Sequence, residues 1–379
     1  MKQSQYKTIQ IGIYLARVNT NYPYHLQTPS HPLIERNIMA NHIQIYALGG
    51  TGAVYAGPLY KLNKEASKDP LAPKIKVAFI DAGNGSYDGV DDRDYYCIKK
   101  FDDNGKLVQT NGSGQWRNEN YEAAVASTPD IMLKFPPGAL NIVVHSAGGG
   151  SGSAIVLPIV KHLLENKQLT LVYTPASTNT LRLAKNSRDT IQSLVNTVDE
   201  TQFPMAIKTF INSEDGFGNN EKKFIDTVYG LSGLFAQDLK HLDPADVRSF
   251  FDYTKLLKLE PQLLSFVGPE QNSQIEVGDG YAVTALSLFR DKQNWLPECS
   301  LRDKNKRIIT PLFHKTGHYD VEIGMEQTKD AHFVLVDGLV NDIMIRLNDA
   351  ILSIERSHSA AMVPRIKPKP MGGSSAVFS

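Results

Sequence analysis

The stretch "VVHSAGGGSGSAIVLPIV", Val143 to Val160, constrains the fold more than any other part of this chain. An apolar, β-branched run breaks into three glycines and then Ser-Gly-Ser, and a second apolar run follows at once. The first run reads as a buried strand and the second as a buried helix. Glycine has no side chain, so a loop rich in it can turn its backbone N–H groups toward a bound group. A helix N-terminus adds unpaired N–H groups and a partial positive charge. Strand, then Gly148-Gly149-Gly150-Ser151-Gly152-Ser153, then helix is therefore a phosphate-binding arrangement, with the Ser151 and Ser153 hydroxyls as further donors. A tight turn capped by serine is the structural alternative, but four glycines in five residues exceed what a cap needs.

The flanking pattern extends this unit. "HIQIYAL" (42–48), "KIKVAFI" (74–80), "LTLVYT" (169–174) and "AIKTFIN" (206–212) read as strands beside "LNIVVHS" (140–146), with helical stretches at 154–166 and 179–198. Strands that alternate with helices predict a parallel α/β sheet with right-handed crossovers. Ligands on such sheets lie at the carboxyl ends of the strands. The first strand ends in Gly49-Gly50-Thr51-Gly52, the second in Asp81, and the third in the triple glycine. A further loop, "TNGSGQW" (110–116), could close over a terminal phosphate through Gly114.

A long helix is expected from Asn220 to Lys240, because Phe224, Val228, Leu231, Phe235 and Leu239 recur at helical spacing. A second helix starts near Asp243. After "EPQLL" the pattern shifts to strands at 281–290, 307–313, 318–323 and 331–337, closed by a helix at 339–358. The expected organisation is an extension at 1–38, a nucleotide domain at 39–219, a central helix and loop at 220–259, a smaller α+β domain at 260–358 and a flexible tail at 359–379. Residues 1–38 read as upstream sequence rather than a working arm, since a clear strand begins just after Met39.

Composition narrows the class. With 379 residues and 41% hydrophobic side chains, the chain can bury the cores of two domains. Lys plus Arg equals Asp plus Glu at 40 each, which argues against direct binding of nucleic acid through a strongly basic field. No apolar run is long enough to span a membrane, and the first residues read as lacking a signal peptide. The two cysteines, Cys97 and Cys299, show no metal-ligand spacing, and no protein metal site is expected.

Two motifs have competing readings. "GGTG" resembles a dinucleotide turn, but Asp81 lies too far on to be the acidic residue that binds ribose. The lysine of a P-loop is missing as well, which leaves a site wrapped mostly by backbone. In "HLDPADV" (241–247), Asp243 suits a helix N-cap, Pro244 the first helical position and Asp246 the third. The alternative reading is that both carboxylates polarise a water.

Taken in order, these motifs resemble the tubulin/FtsZ superfamily. "GGGSGSA" (148–154) matches its glycine-rich signature, "ALGGTG" (47–52) its first nucleotide loop, and the long helix followed by "LDPADV" its central helix and catalytic loop. "KNSRDTIQSL" (185–194), "EPQLLSF" (260–266) and "VTALSLFRDKQ" (283–293) are most similar to the tubulins of large-genome bacteriophages. The resemblance covers roughly 41–358. It implies a Rossmann-type parallel sheet, a long central helix and a smaller C-terminal domain. It also implies a GTPase that forms filaments in the cytoplasm of an infected bacterium, positions phage DNA or its compartment, and uses GTP/GDP and Mg2+.

By the same resemblance, Gly49 to Gly52 and Gly148 to Ser153 hold the phosphates, and Gly114 lies near the γ-phosphate. Asp81 sits beneath the nucleotide, Asn179 and Arg182 near the ribose, and Phe217, Asn220 and Glu221 near guanine. Asp243 and Asp246 are the catalytic pair and act on the adjacent subunit, so the implied partner is a second copy, head to tail, with the C-terminal tail reaching the neighbour. The chain departs from this family in residues 1–38, in a long segment at 84–110, and in a basic tail where the phage relatives have an acidic one. A plasmid-partition tubulin and an NAD-dependent oxidoreductase are the alternatives.

Overall fold

A computed structural model describes residues 42–66, 74–83, 87, 89–101, 107–109, 120–212, 217–235, 239–270, 274–278, 280–289, 300–319 and 331–361. The expectations for residues 1–38, for Gly114 and for the tail beyond Ala361 lie outside the described residues. The chain runs β1 (Ile43–Leu48), α1 (Gly49–Ala66), β2 (Ile75–Asp81), β3 (Tyr95–Cys97), β4 (Lys99–Phe101), β5 (Leu107–Gln109), α2 (Tyr121–Lys134), β6 (Leu140–Val144) and α3 (Ser151–Glu165). It continues with β7 (Thr170–Ala176), α4 (Leu181–Thr201), β8 (Met205–Ile211), α5 (Phe217–Gly233), β9 (Leu239–Lys240), α6 (Pro244–Phe251) and α7 (Thr254–Leu257). The last part is β10 (Leu263–Glu270), β11 (Gln274–Glu276), β12 (Tyr281–Phe289), β13 (Ser300–Arg302), β14 (Ile308–Ile309), β15 (Phe313–Tyr319), β16 (Ala331–Asp337) and α8 (Leu339–Ala361).

Among the described residues, eleven strands form one sheet in the order β3-β2-β1-β6-β7-β8-β10-β16-β12-β15-β9. From β3 to β10 every neighbouring pair is parallel. β16 is antiparallel to both β10 and β12, and β15 is parallel to β12. The central strands are buried along their whole length, as parallel strands covered by helices on both faces must be. Helices α2, α3, α4 and α8 pack side by side in that order, while α1 packs on α5.

Several expectations need correction. "GGTG" is not a free loop: Gly49 to Gly52 are already the first turn of α1. The helix expected from Asn220 to Lys240 begins earlier, at Phe217, and stops at Gly233. Its end tightens, with Leu234 N–H and Phe235 N–H donating three residues back to Leu231 and Ser232. Leu239 belongs to β9, where Leu239 and Lys240 pair with Tyr319 and His318. The expected face of Phe224, Val228 and Leu231 is buried as read.

Strand β10 escaped the sequence reading because Gly268 and Pro269 look like breakers. They form a bulge instead: Gly268 has φ of +123°, and the pairing with β16 shifts register between Val267 and Glu270. Because β10 pairs with β8, the sheet crosses position 260 without a gap. The change of pattern there leads into the antiparallel half of the same sheet. The strand expected at 307–313 is two residues, Ile308–Ile309, and the next runs from Phe313 to Tyr319.

An aromatic cluster fixes α1 and α5 to the sheet. The Tyr173 ring on β7 lies 4.9 Å from Phe224, 5.8 Å from Tyr55 and 5.7 Å from Phe210, mostly edge to face. Phe224 is fully buried. Phe224→Ala removes the ring shared by α1, α5 and β7, and is expected to lower the unfolding free energy by about 3–5 kcal/mol. The check is the shift of the urea-denaturation midpoint.

Candidate nucleotide-binding site

The parallel strands β2, β1, β6, β7 and β8 all end along one rim of the sheet. The β1 loop becomes α1 and the β6 loop becomes α3, and the two helix starts touch. A Cβ on Gly49 would lie 2.9 Å from the Gly152 backbone nitrogen, and Gly49 has φ of +67°. A Cβ on Gly152 would lie 2.8 Å from the Leu48 carbonyl oxygen. A Cβ on Gly52 would meet the Val144 carbonyl at 2.5 Å, and one on Gly148 would meet the Leu183 carbonyl at 3.0 Å. Gly49, Gly52, Gly148 and Gly152 are therefore glycines because backbone passes where a side chain would be.

Gly50 and Gly149 differ. A Cβ on Gly50 meets nothing within 4 Å, and one on Gly149 meets only Ser146, at ordinary contact distances from 3.6 Å. Protein packing does not require either glycine. Open space at two glycines, beside two helix starts that present N–H groups, is what a cradle for an anion requires.

Helix α4 braces the β6 loop. Asn186 Nδ2 donates to the Gly148 carbonyl (3.2 Å) and Thr190 Oγ1 to the Ala147 carbonyl (3.0 Å). Ser187 Oγ accepts from Ser177 N–H (3.0 Å). These side chains lie in "KNSRDTIQSL"; the sequence reading did not single them out, although the i, i+4 spacing of 186 and 190 puts them on one helix face. Ser153 was expected to donate to phosphate. Its hydroxyl is buried and donates to the Gly149 and Gly150 carbonyls instead, so it shapes the loop from inside. Ser151 is half-buried at the start of α3, and Thr51 is half-buried in the first turn of α1.

Asp81 ends β2 on the same rim. Its Oδ1 accepts from Ala82 N–H (2.6 Å) and its Oδ2 from the Tyr87 hydroxyl (2.5 Å). Burial and then the Asp81 carboxylate push the Tyr87 hydroxyl well above the ordinary tyrosine range, which keeps it a donor. Asn179, on the β7–α4 connection, and Arg182, in the first turn of α4, are both exposed, and Thr180 is the N-cap of that helix.

At the last loop, Asn220 is fully buried in the first turn of α5. Its Nδ2 donates to Asn212 Oδ1 (2.8 Å), while its own buried Oδ1 has no partner among the described residues. Asn212, just beyond β8, was missed by the sequence reading. Glu221 is half-buried, and its charge adds to the burial that pushes Tyr55 up to about 12. Phe217 is the first residue of α5.

Asp243 and Asp246 are elsewhere. They form a reciprocal capping box at the start of α6: Asp243 Oδ1 accepts from Asp246 N–H (2.8 Å), and Asp246 Oδ2 from Asp243 N–H (3.4 Å). Helices α6 and α7 precede the amino end of β10, and Thr284, early in β12, donates to the Phe250 carbonyl. Arg248 Nη2 donates to the carbonyl of Lys167, just beyond the far end of α3 (3.4 Å). The acidic pair and the glycine loops thus lie at opposite ends of the strands. They are separated by about the length of the 15-residue α3, roughly 22 Å.

No family model matches the chain. A phage tubulin-like protein of Pseudomonas phage PhiPA3 is 27% identical over 229 residues, which is 60% of this chain and 69% of that one. A protofilament structure of TubZ from bacteriophage PhiKZ superposes with a TM-score of 0.70 at 22% identity, covering 89% of this chain and 99% of that one. The GDP-bound phage tubulin PhuZ gives 0.69 at 20% identity over 88% and 96%. This is the tubulin/FtsZ fold. The similarity to phage tubulins read from the motifs is borne out by both kinds of match.

Two glycine substitutions separate packing from binding. Gly152→Ala is expected to cost about 1–3 kcal/mol, because its Cβ would press on backbone at Leu48. Gly149→Ala is expected to leave the melting temperature within experimental scatter. Thermal denaturation of the two proteins side by side is the check.

Proposed function

We propose that the chain is a filament-forming GTPase of the phage-tubulin kind, whose active site is completed across the contact between two copies. The observation that carries this reading is the separation of the glycine rim from the acidic start of α6. A carboxylate at the opposite end of α3 cannot serve its own pocket, yet it faces the next pocket when copies stack head to tail. That open arrangement builds filaments. The solved relatives include a protofilament and a GDP complex.

GTP fits the residues of the rim. Its phosphates would enter the space at Gly50 and Gly149 against the N–H groups of α1 and α3. Guanine would reach the start of α5, where the unpartnered Asn220 Oδ1 can accept one of the hydrogens the base offers, with Glu221 beside it. Among the described residues no three His, Cys, Asp or Glu side chains gather as a metal cage. Mg2+ would be carried mainly on the nucleotide's phosphates and water, which is how such an ion is usually held beside a nucleotide.

In hydrolysis the attacking water's oxygen bonds to the γ-phosphorus as the bond to the β–γ bridging oxygen breaks. GDP leaves with that electron pair, and a carboxylate of the neighbour takes the water's proton and returns it to solvent. General-base help of this kind is worth about 10²–10⁴ in rate. In an infected bacterium such filaments would work in the cytoplasm to position phage DNA or its compartment. No helix among the described residues is long and apolar enough to cross a membrane.

Purified protein with GTP is expected to scatter light above a threshold concentration and to release phosphate as it does so. The absence of both signals from folded protein would sink the proposal. Gly149→Val is expected to weaken GTP binding at least tenfold in a fluorescent-nucleotide titration while the protein stays folded. The basic tail is proposed to contact the neighbouring copy, so deleting 362–379 should raise the threshold concentration and leave nucleotide affinity unchanged. Pelleting at several salt concentrations measures this.

A further inference from the structure

Asp81 is the last residue of β2. Strands β1 and β2 pair with Leu48 opposite Ile80, so Asp81 lies beside Gly49, the first residue of α1. A carboxylate on the rim of a phosphate cradle repels the phosphates unless a cation lies between them. Among the described residues no basic side chain pairs with Asp81, so the fold does not cancel its charge. The fold fixes its position instead. Its backbone carbonyl accepts from Ile98 N–H (2.9 Å), its Oδ1 from Ala82 N–H (2.6 Å) and its Oδ2 from the Tyr87 hydroxyl (2.5 Å). The half-buried Tyr87 is held by its ring, whose centroid lies 5.9 Å from that of Phe79 on β2 and 5.8 Å from that of Tyr95 on β3. The Tyr95 hydroxyl donates to the Gly83 carbonyl and closes the other side of the turn. Each oxygen of an ionised carboxylate can accept more than one hydrogen bond, so Asp81 keeps lone pairs to offer.

We infer that Tyr87 is a positioning residue for the nucleotide's cation: its hydroxyl holds the Asp81 carboxylate so that the remaining lone pairs are presented to the hydrated Mg2+ that the phosphates carry. This rests on the reading of the rim as a GTP site. Mg2+ beside a nucleotide keeps several waters and takes one or two carboxylates along with the phosphate oxygens. Asp81 supplies one such carboxylate without a protein cage. Hydrogen-bond partners that orient a carboxylate toward a metal are typically worth about 10–100-fold in metal affinity. Tyr87 lies in the long segment at 84–110 in which this chain departs from the tubulin/FtsZ family, so the clasp is built from sequence of its own. A tyrosine that only stapled the turn would matter equally with and without the cation.

The experiment titrates the full-length protein with fluorescent GTP, once in Mg2+ and once in EDTA, and records the melting temperature without nucleotide. Tyr87→Phe removes the hydroxyl and leaves the ring between Phe79 and Tyr95. It is expected to lose about 10–100-fold in affinity in Mg2+ and nothing in EDTA. Asp81→Asn keeps an oxygen for Ala82 N–H but not the charge. It should lose as much in Mg2+, and in EDTA it should bind at least as tightly as wild type, because the repulsion of the phosphates is gone. The double variant should lose no more than Asp81→Asn alone, because the two residues act as one unit. Equal losses of Tyr87→Phe in Mg2+ and in EDTA would make it a staple of the turn and overturn the assignment. Wild-type affinity of Tyr87→Phe in Mg2+, losses that multiply in the double variant, or a wild-type affinity indifferent to Mg2+ would each overturn it as well. If Asp81→Asn alone loses the response to Mg2+, the carboxylate stands and the role given to Tyr87 falls. If folded wild-type protein binds no GTP in either buffer, the reading of the rim itself fails, and not only the part given to Tyr87.

Discussion

The close approach of two helix starts is the constraint on which the rest of this structure depends. Where α1 and α3 begin, backbone lies against backbone: Gly49 on the Gly152 nitrogen, Gly152 on the Leu48 carbonyl, Gly52 on the Val144 carbonyl. No side chain fits at these crossings. The parallel pairing of β1 with β6 makes the two strands end side by side, so their following helices start together. Two sets of unpaired N–H groups and two partial positive charges then face one small volume. Bringing like dipole ends together is unfavourable unless something negative lies between them. A polyphosphate satisfies that requirement, which is why the glycines and the helix starts are best explained together.

The supporting structure around this crossing is polar and, apart from the half-buried Asn186, buried. Asn186, Ser187 and Thr190 of α4 bond to the loop between β6 and α3 and to the end of β7, and Ser153 closes the loop from within. Each of these groups would cost free energy if left unpaired. Together they hold the loop in one shape without occupying the space at Gly149. On the sheet's aromatic side, Tyr173, Tyr55 and Phe224 fix α5 to α1, and the Tyr173 hydroxyl donates to the Asn220 carbonyl (3.1 Å). The buried Asn220 is thus positioned by the hydrophobic core.

Much of this was legible in the sequence because periodicity and glycine placement are local signals. The five strands β1, β2, β6, β7 and β8 and the glycines at two of their ends could be read directly. What could not be read depends on contacts between distant residues. Gly268 and Pro269 look like a break until β16 supplies a partner for the bulge. Leu239 continues the helical spacing of α5, yet pairing with Tyr319 turns it into a strand. Ser153 looks like a ligand donor until the folded loop presents two carbonyls to it. Asn212 gave no signal at all, because its meaning comes only from Asn220 across the β8–α5 turn. The shared limit is that spacing along the chain cannot show which of two polar groups is already satisfied.

The same limit explains why "LDPADV" carried two readings that the structure does not force apart. A capping box needs one oxygen from each aspartate, and a carboxylate has two. Each aspartate can therefore serve the capping box and still have a second oxygen, which in Asp246 meets Lys315. The bond from Arg248 to Lys167 places the loop by the far end of α3, the helix whose start forms the glycine cradle. One helix thus spans the distance between the glycine cradle at its start and the acidic pair beyond its far end. The β8–β10 pairing locks the two halves of the sheet at the same spacing. Stacked copies would repeat at a distance set by the sheet and α3, so an acid can meet a phosphate only if the contact between copies is in register.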